Sequence, residues 1–409
     1  MATPPTTIPT RLRGIDALRG IAALGVVFYH AVEQGEKALP QNILQYPVRA
    51  IQFVSSFAYI GVFLFFVISG FCIHLQWAKA KAAGTEAEIR FGAFWKRRLR
   101  RLYPPYIIAL VLFLLLAAST AGINLTHFFF YDIGMHLLML HNLDPKTCYT
   151  INGVFWTLAI EEQLYLMYFL LLFIRVRWGW GVTLAVCLIA RVAWMWFGHL
   201  VWLKTGFGIP VPEAAAVHWF TWALGAVGVE AFFGLIKLRG WSRDLRLATV
   251  LIVAASAISN YLPLINKDTF LHQAAWYSIH PFWGLGFFIV VNRMVLSEQS
   301  WLRQAKMPSL VSLFSTLGIF SYSLYLTHEL VIMQSWQWTR PSWLQLVNVF
   351  VFVVPATVIF AWAFFWFCEK PFMAKRAPIN FLTSLPPLSS IPQPPTSSSA
   401  SQPSSLGLS

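Results

Sequence analysis

The chain has 409 residues, of which 57% are hydrophobic and only 11% charged, whereas roughly 25% of residues are charged in soluble proteins. Its 19 Trp and 35 Phe carry more aromatic surface than one water-soluble core can bury, which excludes a soluble globular protein. The net charge of +14 does not point to nucleic acid, because the cations lie in short connectors between apolar runs rather than on one soluble face.

Inside lipid only helices and closed barrels satisfy their backbone, and an apolar run of about 20 residues is the length of one helical span. Taken in order, such runs predict ten transmembrane helices, near 15–33, 55–77, 104–121, 152–174, 180–198, 215–238, 245–263, 273–293, 310–335 and 343–368. The expected fold class is all-α, a polytopic integral membrane bundle of about ten helices. Charge supports the count, since Lys and Arg concentrate in cytoplasmic connectors. With a cytoplasmic N-terminus, the alternation places 23 Lys and Arg inside and 6 outside, with Arg191 within a span. Both termini are therefore expected in the cytoplasm.

The first run follows Arg11 and Arg13 but holds Asp16, Arg19 and His30, with no small-residue cleavage site after it. It reads as a retained helix rather than a signal peptide. The outer connector at 122–151 contains "HFFFYDIGMHLLMLHN", which suits a re-entrant or interfacial helix. Residues 1–376 are expected to form one membrane domain. Residues 377–409 are Pro- and Ser-rich and uncharged, and are expected to be a disordered cytoplasmic tail. Cys72, Cys148, Cys187 and Cys368 are scattered, with neither a disulfide framework nor metal-ligand spacing, so no metal is expected.

An ionisable side chain inside a span costs roughly 3 kcal/mol on insertion scales, which makes each one a candidate for function. At 100° per residue, Arg19 and His30 share a face of the first helix, about 16 Å apart along its axis. Asp16 lies close enough to pair with Arg19. The third span is introduced by "FWKRRLRRLYPPY", in which Arg97, Arg98 and Arg101 fall on one side. Guanidinium groups there suit bidentate phosphate binding, although topology and attraction to anionic lipid leave the same trace. The fourth span, "NGVFWTLAIEEQLYLMYFLLLFI", sets Thr157, Glu161 and Tyr165 on one face, with Glu162 turned away. A buried carboxylate is protonated or paired, and His30, at similar depth, is the expected partner of Glu161. The ninth span places Ser321, Tyr325 and His328 together, with Glu329 beside them. That stripe suits either a hydroxylated ligand or helix packing. Ser69 and Gly70 in the second span suit close packing, and His74 has no evident role.

Four of these segments resemble the membrane acyltransferase 3 family. Arg19 and His30 match its opening basic-to-His spacing. Arg98, Arg101, Tyr103 and Pro104 match its Arg-x-x-Arg segment before Tyr-Pro. Trp156, Glu161 and Tyr165 match its Trp-Ser-Leu-x-x-Glu-Glu-Gln-x-Tyr element, with Thr157 in place of Ser. "FSYSLYLTHE" is similar to its late signature ending at His328, with Thr327 where an aromatic is common. The resemblance runs from about Arg11 to Arg376.

The resemblance implies an O-acyltransferase of the plasma membrane that moves an acyl group, acetyl in this family, from cytosolic acyl-CoA to a hydroxyl of an envelope carbohydrate. Arg19, Arg97, Arg98 and Arg101 would hold the CoA phosphates, His30 would act as general base and Glu161 would orient it. Tyr165, Tyr325 and His328 are candidates for positioning the acceptor or the oxyanion, with Asp16 and Trp156 in structural support. Acyl-CoA is expected as a co-substrate, with no permanently bound cofactor. The extracytoplasmic hydrolase-like domain of some relatives has no counterpart in this sequence, so a second transfer step would need a partner. A proton-coupled transporter is the alternative, but matching halves with broken helices are not evident. A non-catalytic scaffold would leave His30 and Glu161 unexplained.

Overall fold

The computed structural model describes residues 11–37, 55, 57–85, 89–121, 126–262, 270–304, 307–337 and 348–373. The expected tail at 377–409 lies outside them, as do residues 1–10 and parts of six of the expected connectors. The described residues are helical, with no strand among them. The main helices are α1 (Arg13–Lys37), α2 (Gly61–Ala82), α3 (Phe91–Ala121), α4 (His127–Leu137), α5 (Trp156–Thr205), α6 (Ala215–Phe232), α7 (Leu245–Tyr261), α8 (Phe270–Arg303), α9 (Ser309–Ile319), α10 (Ser321–Gln337) and α11 (Val354–Phe364). Single π-helical turns, Val349–Val353 and Phe365–Glu369, flank α11.

The count of ten spans is not established by length and apolarity. Six helices are long and apolar enough to cross a membrane, or up to seven if α9 and α10, bent by 70° at Phe320, form one span. The difference has a local cause. Two expected spans merge into the 50-residue α5, which is broken at Gly179 by a left-handed φ of 80°, a conformation that glycine adopts without strain. The expected span at 245–263 is the 17-residue α7. His218 and Glu230 lower the apolarity of the 18-residue α6.

Helix α2 crosses α6 at backbone contact. A Cβ on Gly70 would sit 1.9 Å from the Trp222 carbonyl oxygen, and one on Gly225 would sit 1.9 Å from that of Val67. Lipid gives helices no hydrophobic reason to associate, so small residues that let backbones meet supply the contact. The same crossing aligns Ser69 with α6. One turn further along α2, the fully buried His74 lies 3.0 Å from Glu230 and 3.1 Å from the Tyr168 hydroxyl. Arg175 and the Trp180 indole N–H also donate to Glu230, at 2.6 and 2.9 Å. His74 thus belongs to a polar tie joining α2, α5 and α6.

Helix α1 packs against α2, α9 and α10, with Asp16, Arg19 and His30 turned toward the bundle. In the outer connector, Thr126 caps α4 by accepting from the Phe129 N–H at 3.2 Å. α4 then folds back beside α3: the Tyr103 and Tyr106 hydroxyls donate to the carbonyls of Leu137 and His136, at 2.9 and 3.0 Å. The C-terminal end of α4 is thus tied to α3.

Candidate active site

A cavity of about 590 Å³ opens between α1, α2, α3, α5 and α10. Its wall carries the cations Arg11, Arg19, Lys79, Arg98 and Arg101, against the carboxylates Asp16 and Glu161. The excess of positive charge at low dielectric suits a multiply anionic ligand. Arg98 also lies over the rings of Phe94 and Tyr165, 5.7 and 5.6 Å from their centroids, which fixes its guanidinium toward α5.

Further along, the wall becomes a row of hydroxyls and one carboxylate. Thr157, Glu161 and Tyr165 all line it, as their four-residue spacing on α5 predicts. Glu161 accepts from the Tyr165 hydroxyl at 2.6 Å and from Ser69 at 2.8 Å. Ser69 in turn accepts from the Trp222 indole at 3.2 Å, because Gly70 brings α2 so close to α6. The Thr157 and Tyr325 hydroxyls, 2.6 Å apart, join α5 to α10 at the limit of the cavity.

His328 lies one turn beyond Tyr325 on α10, its ring 5.2 Å from that of His30 on α1. His30 Nδ1 is 3.1 Å from Glu329 Oε1 and 3.6 Å from Glu33 Oε2. His328 Nδ1 donates to the Tyr325 carbonyl at 2.8 Å, so in the neutral ring Nε2 carries the lone pair.

Three of these placements differ from the sequence reading. The carboxylate beside His30 is Glu329, and no ion pair joins His30 to Glu161 among the described residues. Depth along a helix cannot decide which neighbouring helix faces a residue, and α1 turns His30 toward α10. Asp16 pairs with Arg11, which also donates to the Ser315 carbonyl at 3.0 Å, so Arg19 is left facing the cavity. Arg97 is exposed and does not line the cavity, whereas Arg98 and Arg101 do. Trp156, expected in structural support, starts α5 with its ring 6.4 Å from that of His218. Glu329 and Ser69 join the site without having been singled out for it. Their only sequence signals are adjacency to His328 and to Gly70.

A basic cavity whose wall also carries hydroxyls and reaches Tyr325, one helical turn from a His–carboxylate pair that does not itself line it, is a layout that suits a membrane group-transfer enzyme. The chain matches the acyltransferase domain family over residues 12–366, and it belongs to that family. It is 24% identical over 393 residues to the peptidoglycan O-acetyltransferase OatA of Listeria monocytogenes, covering 90% of this chain and 56% of that protein. It is 25% identical over 392 residues to a putative O-acetyltransferase of Staphylococcus aureus strain COL, covering 88% of this chain and 57% of that one. Over a shorter stretch of 169 residues it is 31% identical to the O-acetyltransferase OatA of Staphylococcus aureus strain NCTC 8325, covering 39% of this chain and 24% of that protein. The chain thus spans little more than half the length of the curated relatives that it matches along most of its own length. No solved structure matches it.

Proposed function

We propose that this protein is a membrane O-acyltransferase that takes an acyl group, acetyl by analogy with its relatives, from cytosolic acyl-CoA and places it on a hydroxyl of an envelope carbohydrate. The observation that carries this reading is the gathering of Arg19, Arg98 and Arg101 in one cavity that reaches Tyr325, one helical turn from His328 and its neighbour His30. In this reading the guanidiniums hold the CoA phosphates. The roughly 16 Å rise from Arg19 to His30 is then spanned by the slender pantetheine arm, which passes Ser69, Glu161, Tyr165 and Thr157. Arg97 takes no part in the phosphate site.

His30 removes the proton of the acceptor hydroxyl as its oxygen attacks the thioester carbonyl. The new C–O bond forms, the C–S bond breaks, and the proton passes to the departing thiolate. Glu329 holds and stabilises the imidazolium, the role that a carboxylate plays beside a catalytic histidine in hydrolases. Glu161 orders the hydroxyls of the shaft, and Tyr325 is the candidate for positioning the acceptor. Neutral His328, with its proton on Nδ1, offers an acceptor and not an oxyanion donor. Charge alternation supports cytoplasmic termini and the family resemblance supports a plasma-membrane location, and the ten-span reading counts α5 twice and α6 and α7 once each.

The test compares envelope glycans by mass spectrometry from cells carrying wild-type protein or His30→Ala at equal level. Loss of one ester species in the variant is expected. An unchanged ester profile overturns the reading.

A further inference from the structure

We infer that His30, His328 and Glu329 form a binding site for a divalent transition-metal ion of the zinc class. Each offers one donor atom, and the three atoms lie within 4.8 Å of one another. Zinc binds His nitrogen and carboxylate oxygen at roughly 2.0–2.2 Å, so donors around one ion stand roughly 3–4 Å apart, a small adjustment from this arrangement. Two His and one carboxylate are also the protein ligand set of open zinc sites, which leave a position for an exogenous group.

The tautomer of His328 is the second observation. A carbonyl can only accept, so the 2.8 Å contact with the Tyr325 carbonyl fixes the proton on Nδ1. In the neutral ring the lone pair is then on Nε2, a fully buried atom that has no hydrogen-bond partner among the described residues. Metal-ligating histidines are held in this way, with one nitrogen donating to a carbonyl and the other presented to the ion. His328 and Glu329 are adjacent on α10, and α1, which packs against it, brings His30 to them. Glu33, one turn after His30, is 42% exposed at its side chain. The sequence reading expects no metal from its scattered cysteines; the donors here stand at positions 30, 328 and 329, with no local spacing to mark them.

The consequence for turnover rests on the reading of His30 as the base. An ion held by His30 takes the lone pair that proton abstraction needs, so zinc binding and acyl transfer exclude each other.

The site is tested by isothermal titration of the untagged full-length protein in detergent with zinc chloride, and by visible absorption after cobalt(II) addition. One ion per chain is expected. His328→Gln and Glu329→Gln should each weaken binding by more than about tenfold. His127→Ala, which removes an exposed histidine of α4, should leave binding unchanged. A zinc-dependent rise in Tm present in wild type and His127→Ala but absent from Glu329→Gln reads the same site in folded protein. No stoichiometric ion, or equal affinity in all four proteins, overturns the site while leaving the acyltransferase reading in place. One zinc bound with acyl transfer undiminished leaves the site in place and overturns His30 as the base.

Discussion

Replacing Glu329 by glutamine keeps the shape of the side chain and removes its charge from beside His30. At the observed 3.1 Å and an effective dielectric constant of about 20, a carboxylate stabilises an imidazolium by about 5 kcal/mol. Two features reduce that figure. The His30 and Glu329 side chains are 19% and 12% exposed, and Glu33 remains 3.6 Å from His30. About 2–3 kcal/mol of the imidazolium's stabilisation is therefore lost, which is roughly 30- to 150-fold in turnover. The imidazolium forms only as the acceptor is deprotonated, so the loss falls on kcat and leaves KM for acyl-CoA nearly unchanged. The assay is the initial rate of acyl transfer by purified protein in vesicles, with acyl-CoA titrated. A rate within threefold of wild type, or a change confined to KM, would refute the pairing of Glu329 with the base.

Arg98→Ala should raise KM for acyl-CoA at least tenfold, while Arg97→Ala, which alters an exposed side chain, should leave it within twofold in the same titration. Gly70→Ala drives a methyl group into the Trp222 carbonyl; overpacking of this kind costs about 1–3 kcal/mol and should appear as a lower Tm in detergent. His141, in the connector after α4, is pushed down to about 3 by burial and then by neighbouring His136, whose ring stacks on it at 3.9 Å. Between pH 6.5, the ordinary value for His, and that folded value, the unfolded connector binds the proton and the folded one does not. Connector stability should therefore fall as pH drops through this window. Amide protection factors across residues 136–150, which divide out the intrinsic pH dependence of exchange, should be lower at pH 4.5 than at pH 7.5, and His141→Phe should weaken that dependence.

Much of this architecture is legible in the sequence because bilayer thickness and helical rise act on every span alike. The face shared by Thr157, Glu161 and Tyr165 follows from a spacing of four and lines the cavity. The convergence of Arg98 and Arg101 with Arg19 is foreshadowed by their place at the head of α3. Pairings across helices are not legible, because periodicity gives the face of one helix and not the neighbour that it meets. Thus Glu329 rather than Glu161 meets His30. Arg11, which precedes α1 and so lies outside its periodicity, takes Asp16 locally in place of Arg19. Ser69 was hidden for another reason: its approach to Glu161 depends on the Gly70–Gly225 crossing, a contact between segments about 150 residues apart. The span count is blurred by the Gly179 break and by the polar residues of α6, which disturb length and apolarity together.

The central claim is that cytosolic thioester reaches a histidine base held between α1 and α10. Its most direct test is release of free CoA thiol from labelled acetyl-CoA by purified protein in sealed vesicles, with an acceptor sugar supplied on the opposite side. Wild-type protein should release thiol and label the sugar in equal amounts, and His30→Ala should do neither at equal protein and equal acetyl-CoA binding. Thiol release and sugar labelling by His30→Ala at the wild-type rate would contradict the account.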